Sequence, residues 1–94
     1  MTTENASELM HAASQARSPA EQRESIEAAL ALDPYFIPAH LAKGQWQEEH
    51  SDPGIAAVTY KHALRISPPQ HLWPANFRLQ LEHARDIVDT HAIA

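Results

Sequence analysis

Apolar side chains return every three or four residues along this chain, and prolines divide the pattern into five blocks. Ala6, Leu9, Met10 and Ala13 mark the first block, Ile26, Ala29 and Leu30 the second, and Ala56, Tyr60, Ala63 and Leu64 the fourth. The last is the clearest, with Phe77, Leu81, Ala84 and Val88 on one stripe. Its opposite face carries Arg78–Glu82 and Arg85–Asp89, opposite charges one helical turn apart, the pattern of a solvated face. The third block differs. Ile37, Leu41 and Gly44 fall on one side and Ala39, Ala42 and Trp46 on another, as in a helix held between two neighbours. Pro19, Pro38, Pro53 and Pro74 stand where helices can begin, because an N–H missing there would lack an intrahelical partner anyway. Ser18-Pro19-Ala20-Glu21 has the form of a capping box, and Asp52-Pro53 offers the same cap-then-proline start. Helices are expected at 5–16, 19–32, 37–50, 53–66 and 74–92. Period-two alternation is nowhere sustained, so no sheet is expected.

Two of these blocks repeat. Ala29-Leu30-Ala31-Leu32-Asp33-Pro34 returns as Ala63-Leu64-Arg65-Ile66-Ser67-Pro68, an offset of 34 residues. Ile26 and Tyr60 match at the same offset, as do the helix starts Ser18-Pro19 and Asp52-Pro53. A unit of this length, built as helix–turn–helix and ending in Ala-Leu-x-x-x-Pro, resembles the tetratricopeptide repeat (TPR) family. The resemblance covers about 70 of the 94 residues. The second unit, about 37–70, supplies Gly44 for close helix contact, then Ala56, Tyr60, Ala63 and Pro68. It departs from the family at His40, Lys43 and Gln47, where tryptophan, leucine and tyrosine are usual, and Trp46 stands nearby as substitute bulk. The first unit, about 3–36, keeps Leu9, Ala29 and Pro34 but has Met10 in place of the glycine and Gln22 in place of the small alanine. Terminal repeats are commonly atypical because they face solvent. The resemblance implies an all-α fold of antiparallel helix hairpins: one TPR-like domain over 1–94, with two hairpins and a C-terminal capping helix at about 74–92. The competing assignment is an unrelated bundle of α-hairpins. More narrowly, residues 63–90, with Ala-Leu-Arg-Ile-Ser-Pro-Pro, Leu72, Trp73-Pro74 and a long amphipathic helix, resemble the helical N-terminal region of bacterial aspartyl/asparaginyl β-hydroxylase-type proteins. In those proteins TPR-like helices precede a 2-oxoglutarate- and iron-dependent domain.

Composition narrows the function classes. The chain has a formal net charge of −5 and no basic cluster, which argues against nucleic acid and against an anionic membrane as partners. It has no cysteine, hence no disulfide, thiolate metal site or thiol nucleophile. No apolar run approaches the roughly 20 residues of a membrane span. Met1 to Asn5 lack the basic start and apolar stretch of a secretion signal, so a cytoplasmic location is expected.

The narrower resemblance makes iron the chemistry to look for. His50-Ser51-Asp52 has the His-x-Asp spacing of a non-haem iron site, with His62, His71, His83 and His91 following. The same three residues also suit a helix junction, with His50 at a C-terminus and Asp52 at an N-cap. The catalytic fold needs strands that this chain lacks, so the junction is the expected role. No two histidines stand three or four apart, Gly44 and Gly54 are isolated, and Ser14, Ser18 and Ser51 lack a base and an orienting acid. Catalytic, cofactor and metal residues are therefore expected to be absent, with no cofactor.

What remains is recognition of a protein or peptide. In the TPR family the first helix of each hairpin lines a concave groove. The resemblance places Ser7, His11 and Ser14, then Leu41, Gln45 and Glu48, on that face. The best-known form of the groove grips a terminal carboxylate with lysine and asparagine, and Ser7, His11, Leu41 and Gln45 at the comparable places do not reproduce it. Trp73 and Leu79 are further contact candidates, with Trp73 better suited to plug the end of the repeat. The expected function is a non-catalytic interaction module, the N-terminal part of a larger bacterial enzyme of the hydroxylase type. The alternative is a self-standing homodimerisation domain, and an enzyme in itself ranks last. The last stripe runs nearly to Ala94 without a glycine or proline stop, which implies a chain that continues.

Overall fold

The caps set the frame of the structure. In the computed structural model, which describes residues 5–91, five α-helices follow one another: α1 (Ala6–Ser14), α2 (Pro19–Leu32), α3 (Ile37–His50), α4 (Pro53–Ile66) and α5 (Arg78–His91). The described residues hold no strand. Asn5 caps α1 by accepting the Glu8 N–H at 2.9 Å. Ser18 Oγ accepts the Glu21 N–H at 3.2 Å, and the Glu21 carboxylate reaches back to the Arg17 N–H at 2.9 Å. The box is thus reciprocal, although Glu21 closes it on the residue before the cap. Asp52 accepts the Gly54 N–H at 2.7 Å and opens α4. α2 and α4, both proline-led and 14 residues long, keep the 34-residue offset at both ends.

Two expected boundaries move. α1 stops at Ser14, where the Ser14 hydroxyl donates to the His11 carbonyl at 2.6 Å. α5 begins at Arg78 instead of residue 74. Trp73 is buried and donates its indole N–H to the Pro68 carbonyl at 2.9 Å, holding Gln70–Leu72 in a 3₁₀ turn. The Pro74 carbonyl then accepts the Phe77 N–H at 3.0 Å, so this proline opens a turn and the helix starts after it. Residues 3 and 4 of the first expected repeat and residue 92 of the expected capping helix lie outside the described residues. So does the segment Met1 to Glu4 of the leader reading.

Short connections force the first four helices into hairpins, while a longer segment with the 3₁₀ turn returns α5 onto α4. α1 packs on α2, α3 on α4 and α4 on α5, with α2 against α3 joining the hairpins. α3 also touches α1 and α5, whereas α2 and α4 do not meet among the described residues. The odd-numbered helices therefore form one contiguous layer, with α2 and α4 packed against it. The shortest extent, 19 Å, is about two helix diameters. No helix among the described residues is long and apolar enough to cross a membrane.

The interior is built on alanine. Ala29, Ala39, Ala56, Ala63 and Ala84 are completely buried, and so small a side chain brings helix backbones close together. One cluster joins Leu41, Ala56, Tyr60, Ala63, Trp73, Leu81 and Ala84, while a smaller one joins Ala6, Ala29 and Ala39. The α5 stripe faces inward as its period requires, with Leu81 and Ala84 buried and Phe77 and Val88 packed against them. The tightest contact is at Gly44. A Cβ there would fall under 3.0 Å from three atoms of the Tyr60 ring. Glycine inside a helix costs about 1 kcal/mol relative to alanine, so its presence at mid-helix is explained by the ring.

The three departures from the TPR pattern each have a polar partner. His40 is buried and its Nε2–H donates to the Pro34 carbonyl at 2.7 Å. Lys43 pairs with Glu27 at 3.2 Å, and Gln47 accepts the Thr59 hydroxyl at 2.5 Å. Trp46 donates its indole N–H to the Pro19 carbonyl at 2.9 Å and lies under the Arg23 guanidinium.

Gly44→Ala tests the close contact because two effects oppose each other. Helix propensity gains about 1 kcal/mol, while an overpacked core typically loses about 1–3 kcal/mol. With the ring 2% exposed and unable to retreat, urea unfolding is expected to show a net loss on the order of 1 kcal/mol or more. In a Tyr60→Leu background the same substitution is expected to be neutral or stabilising. Equal losses in both backgrounds would contradict the contact.

Candidate functional site

The layer of odd-numbered helices opens into a groove of about 640 Å³ between α3 and α5. α3 contributes Pro38, Leu41 and Ala42 at one end and Glu48 and Glu49 at the other, with Gln45 between them. α5 contributes Leu79, Gln80 and His83, Phe77 comes from the turn before it, and α1 reaches the groove through Met10. Leu79 is 79% exposed, a large apolar side chain on the rim.

The floor is tied by a hydrogen-bonded cluster. Tyr60, from α4 beneath, donates its hydroxyl to Glu48 Oε2 at 2.5 Å. His83 Nε2 lies 2.9 and 3.0 Å from the two oxygens of the same carboxylate, so this nitrogen carries the proton and donates. The Tyr60 and His83 rings meet edge to face with centroids 5.9 Å apart. One glutamate thus joins α3 to both α4 and α5. The His83 side chain is 54% exposed, so its pairing with Glu48 contributes no more than about 1 kcal/mol. Burial pushes the Tyr60 phenol far above its ordinary value of 10.0, reinforced by its bond to Glu48 and by the charges of Glu48 and Glu49. That direction disfavours tyrosinate, and the phenolic proton is committed to Glu48, so the cluster does not supply an activated nucleophile.

The expected recognition residues separate into two sets. Leu41, Gln45 and Glu48 do line the groove. Leu41 is only 5% exposed and spends most of its surface in the core, and Glu48 is occupied by Tyr60 and His83. Ser7, His11 and Ser14 occupy the equivalent positions on α1 and are exposed, but they lie outside this groove, which α1 borders only at Met10. Trp73 is buried as the plug of the repeat end, and Leu79 is the exposed contact residue of that pair. His83, Glu49, Met10 and Phe77 were not among the expected recognition residues. His83 meets Glu48 across 35 residues of chain, a distance no local pattern reports.

His50 closes α3, its Nδ1–H donating to the Trp46 carbonyl at 3.1 Å, and Asp52 caps α4. No group of three or more His, Asp or Glu side chains is placed to hold a metal ion among the described residues. The α5 pairs Arg78–Glu82 and Arg85–Asp89 do not close as ion pairs. Arg85 instead bonds Gln70, which ties the middle of α5 to the 3₁₀ turn. Comparison with protein-family models, curated proteins and solved structures returns no match.

The Tyr60 phenol links stability to alkaline pH. Its contribution is complete below pH 10, where the unfolded chain also keeps the phenol protonated, and is lost as pH rises from 10 toward the raised folded value. Tyr60→Phe is expected to cost about 1 kcal/mol near neutrality through the lost bond to Glu48, and to lose less stability than the parent above pH 10. Urea unfolding of both proteins across that range checks this. Parallel curves would contradict a phenol held protonated by the fold.

Proposed function

We propose that this chain is a TPR-like, non-catalytic protein–protein interaction module, the helical N-terminal part of a larger bacterial enzyme of the aspartyl/asparaginyl hydroxylase type. Its binding face is the groove between α3 and α5. The observation that carries this reading is the groove itself, with Leu79 exposed at its rim over a floor of Leu41 and Phe77. An apolar depression on a fixed scaffold is suited to receive a partner side chain. The matched lengths and starts of α2 and α4 support the repeat assignment. The Glu48–His83–Tyr60 cluster is engaged in holding helices together, which favours binding over catalysis.

A photo-crosslinking amino acid at position 79 tests the reading in the cells that express the protein, with position 55 on the outer face of α4 as control. Discrete adducts with another protein, or with the remainder of the parent polypeptide, are expected from position 79 and not from position 55. Adducts made of two copies of this chain would favour the homodimerisation domain. Identical products from both positions, or none, would count against the groove as a binding face.

A further inference from the structure

The groove is chemically graded along its length, and the gradient identifies its occupant. One end is apolar, formed by Leu41, Phe77 and the exposed Leu79. The other holds Glu48 and Glu49, and the lining contains no lysine or arginine. Glu48 accepts hydrogen bonds from Tyr60 and His83, but a carboxylate has about four lone-pair sites and keeps acceptor capacity toward the groove. Glu49 is exposed and takes part in no ion pair among the described residues. Leu41 and Glu48 lie seven residues apart on one helix, about 10 Å along its axis. An extended peptide covers that distance in about three residues.

Resting on the assignment of the groove as the binding face, we infer that its partner is a cationic, apolar peptide segment: a large aliphatic or aromatic side chain at the Leu41–Phe77–Leu79 end, and a lysine or arginine about three residues away at the Glu48–Glu49 end. The charge pattern disfavours the alternatives. A terminal carboxylate or an acidic peptide would meet two glutamates. A second copy of this chain brings a formal charge of −5 to a protein of the same charge.

Selection of random peptides displayed against the full chain tests the inference without presuming a partner. Recovered peptides are expected to combine a large apolar residue with Lys or Arg about three positions away. Their binding is expected to disappear in Leu79→Glu, to weaken roughly two- to fivefold in Glu49→Lys, and to fall with added salt. Both substitutions are at exposed positions, so unchanged thermal unfolding verifies that the fold is intact. Peptides lost in Leu79→Glu but acidic, or without charge preference, overturn the cationic partner and leave the groove as the binding face. Peptides indifferent to Leu79→Glu, or no enrichment at all, overturn both. Self-association abolished by Leu79→Glu assigns the groove to a second copy and likewise overturns the inference.

Discussion

The arrangement depends on one contact, the Tyr60 ring against the bare backbone of Gly44. A helix pair with a side chain at that position would have to stand further apart. Because the ring lies flat against α3, its hydroxyl arrives one turn further along that helix, at Glu48. Glu48 is thereby fixed where His83 can reach it from α5. α5 itself is held on α4 by the buried Leu81 and Ala84, so the close approach of α3 and α4 brings Glu48 within reach of it, and the space left between α3 and α5 is the groove. Packing and candidate function meet in the same few side chains.

The join between the hairpins follows a different logic. Where α2 meets α3, the chain uses Lys43 with Glu27, Arg23 over Trp46, and the Trp46 indole on the Pro19 carbonyl. These contacts are half-exposed and individually weak. The strength of the join lies in Ala29 and Ala39, both fully buried, which let α2 and α3 approach. His40 keeps the turn before α3 closed by satisfying the Pro34 carbonyl. A stack of this kind is stabilised by neighbour on neighbour, with no single central core, as expected of repeat architectures.

Much of this was legible in the sequence, for identifiable reasons. The offset between Ala29 and Ala63 and the paired starts at Pro19 and Pro53 reported two equivalent helices, because caps and small-residue contacts are local or periodic signals. The TPR resemblance placed Gly44 at a close helix contact, and its steric ground is the Tyr60 ring. The start of α5 was not legible. Trp73-Pro74 has the look of a helix opening, and only burial of the Trp73 ring and its bond to Pro68 show that the chain turns first. The site was half legible. Leu41, Gln45 and Glu48 came from the TPR resemblance, but the partners that complete the groove come from α5, whose placement is a tertiary outcome. Ser7, His11 and Ser14, named through the same resemblance, lie outside this groove because the equivalent positions on α1 do not face the space that α5 creates. The charged face of α5 is solvated as its pattern implied, but Arg85 bonds Gln70, fifteen residues away, which no i,i+4 pattern reports.

The most direct test of the central contact is the proton NMR spectrum of Gly44. A ring packed on its backbone shifts at least one Gly44 Hα well upfield of the random-coil position, gives NOEs to the Tyr60 ring protons, and loses the shift in Tyr60→Leu. Gly44 Hα resonances at ordinary positions, without NOEs to Tyr60, would contradict the contact and with it the placement of the groove.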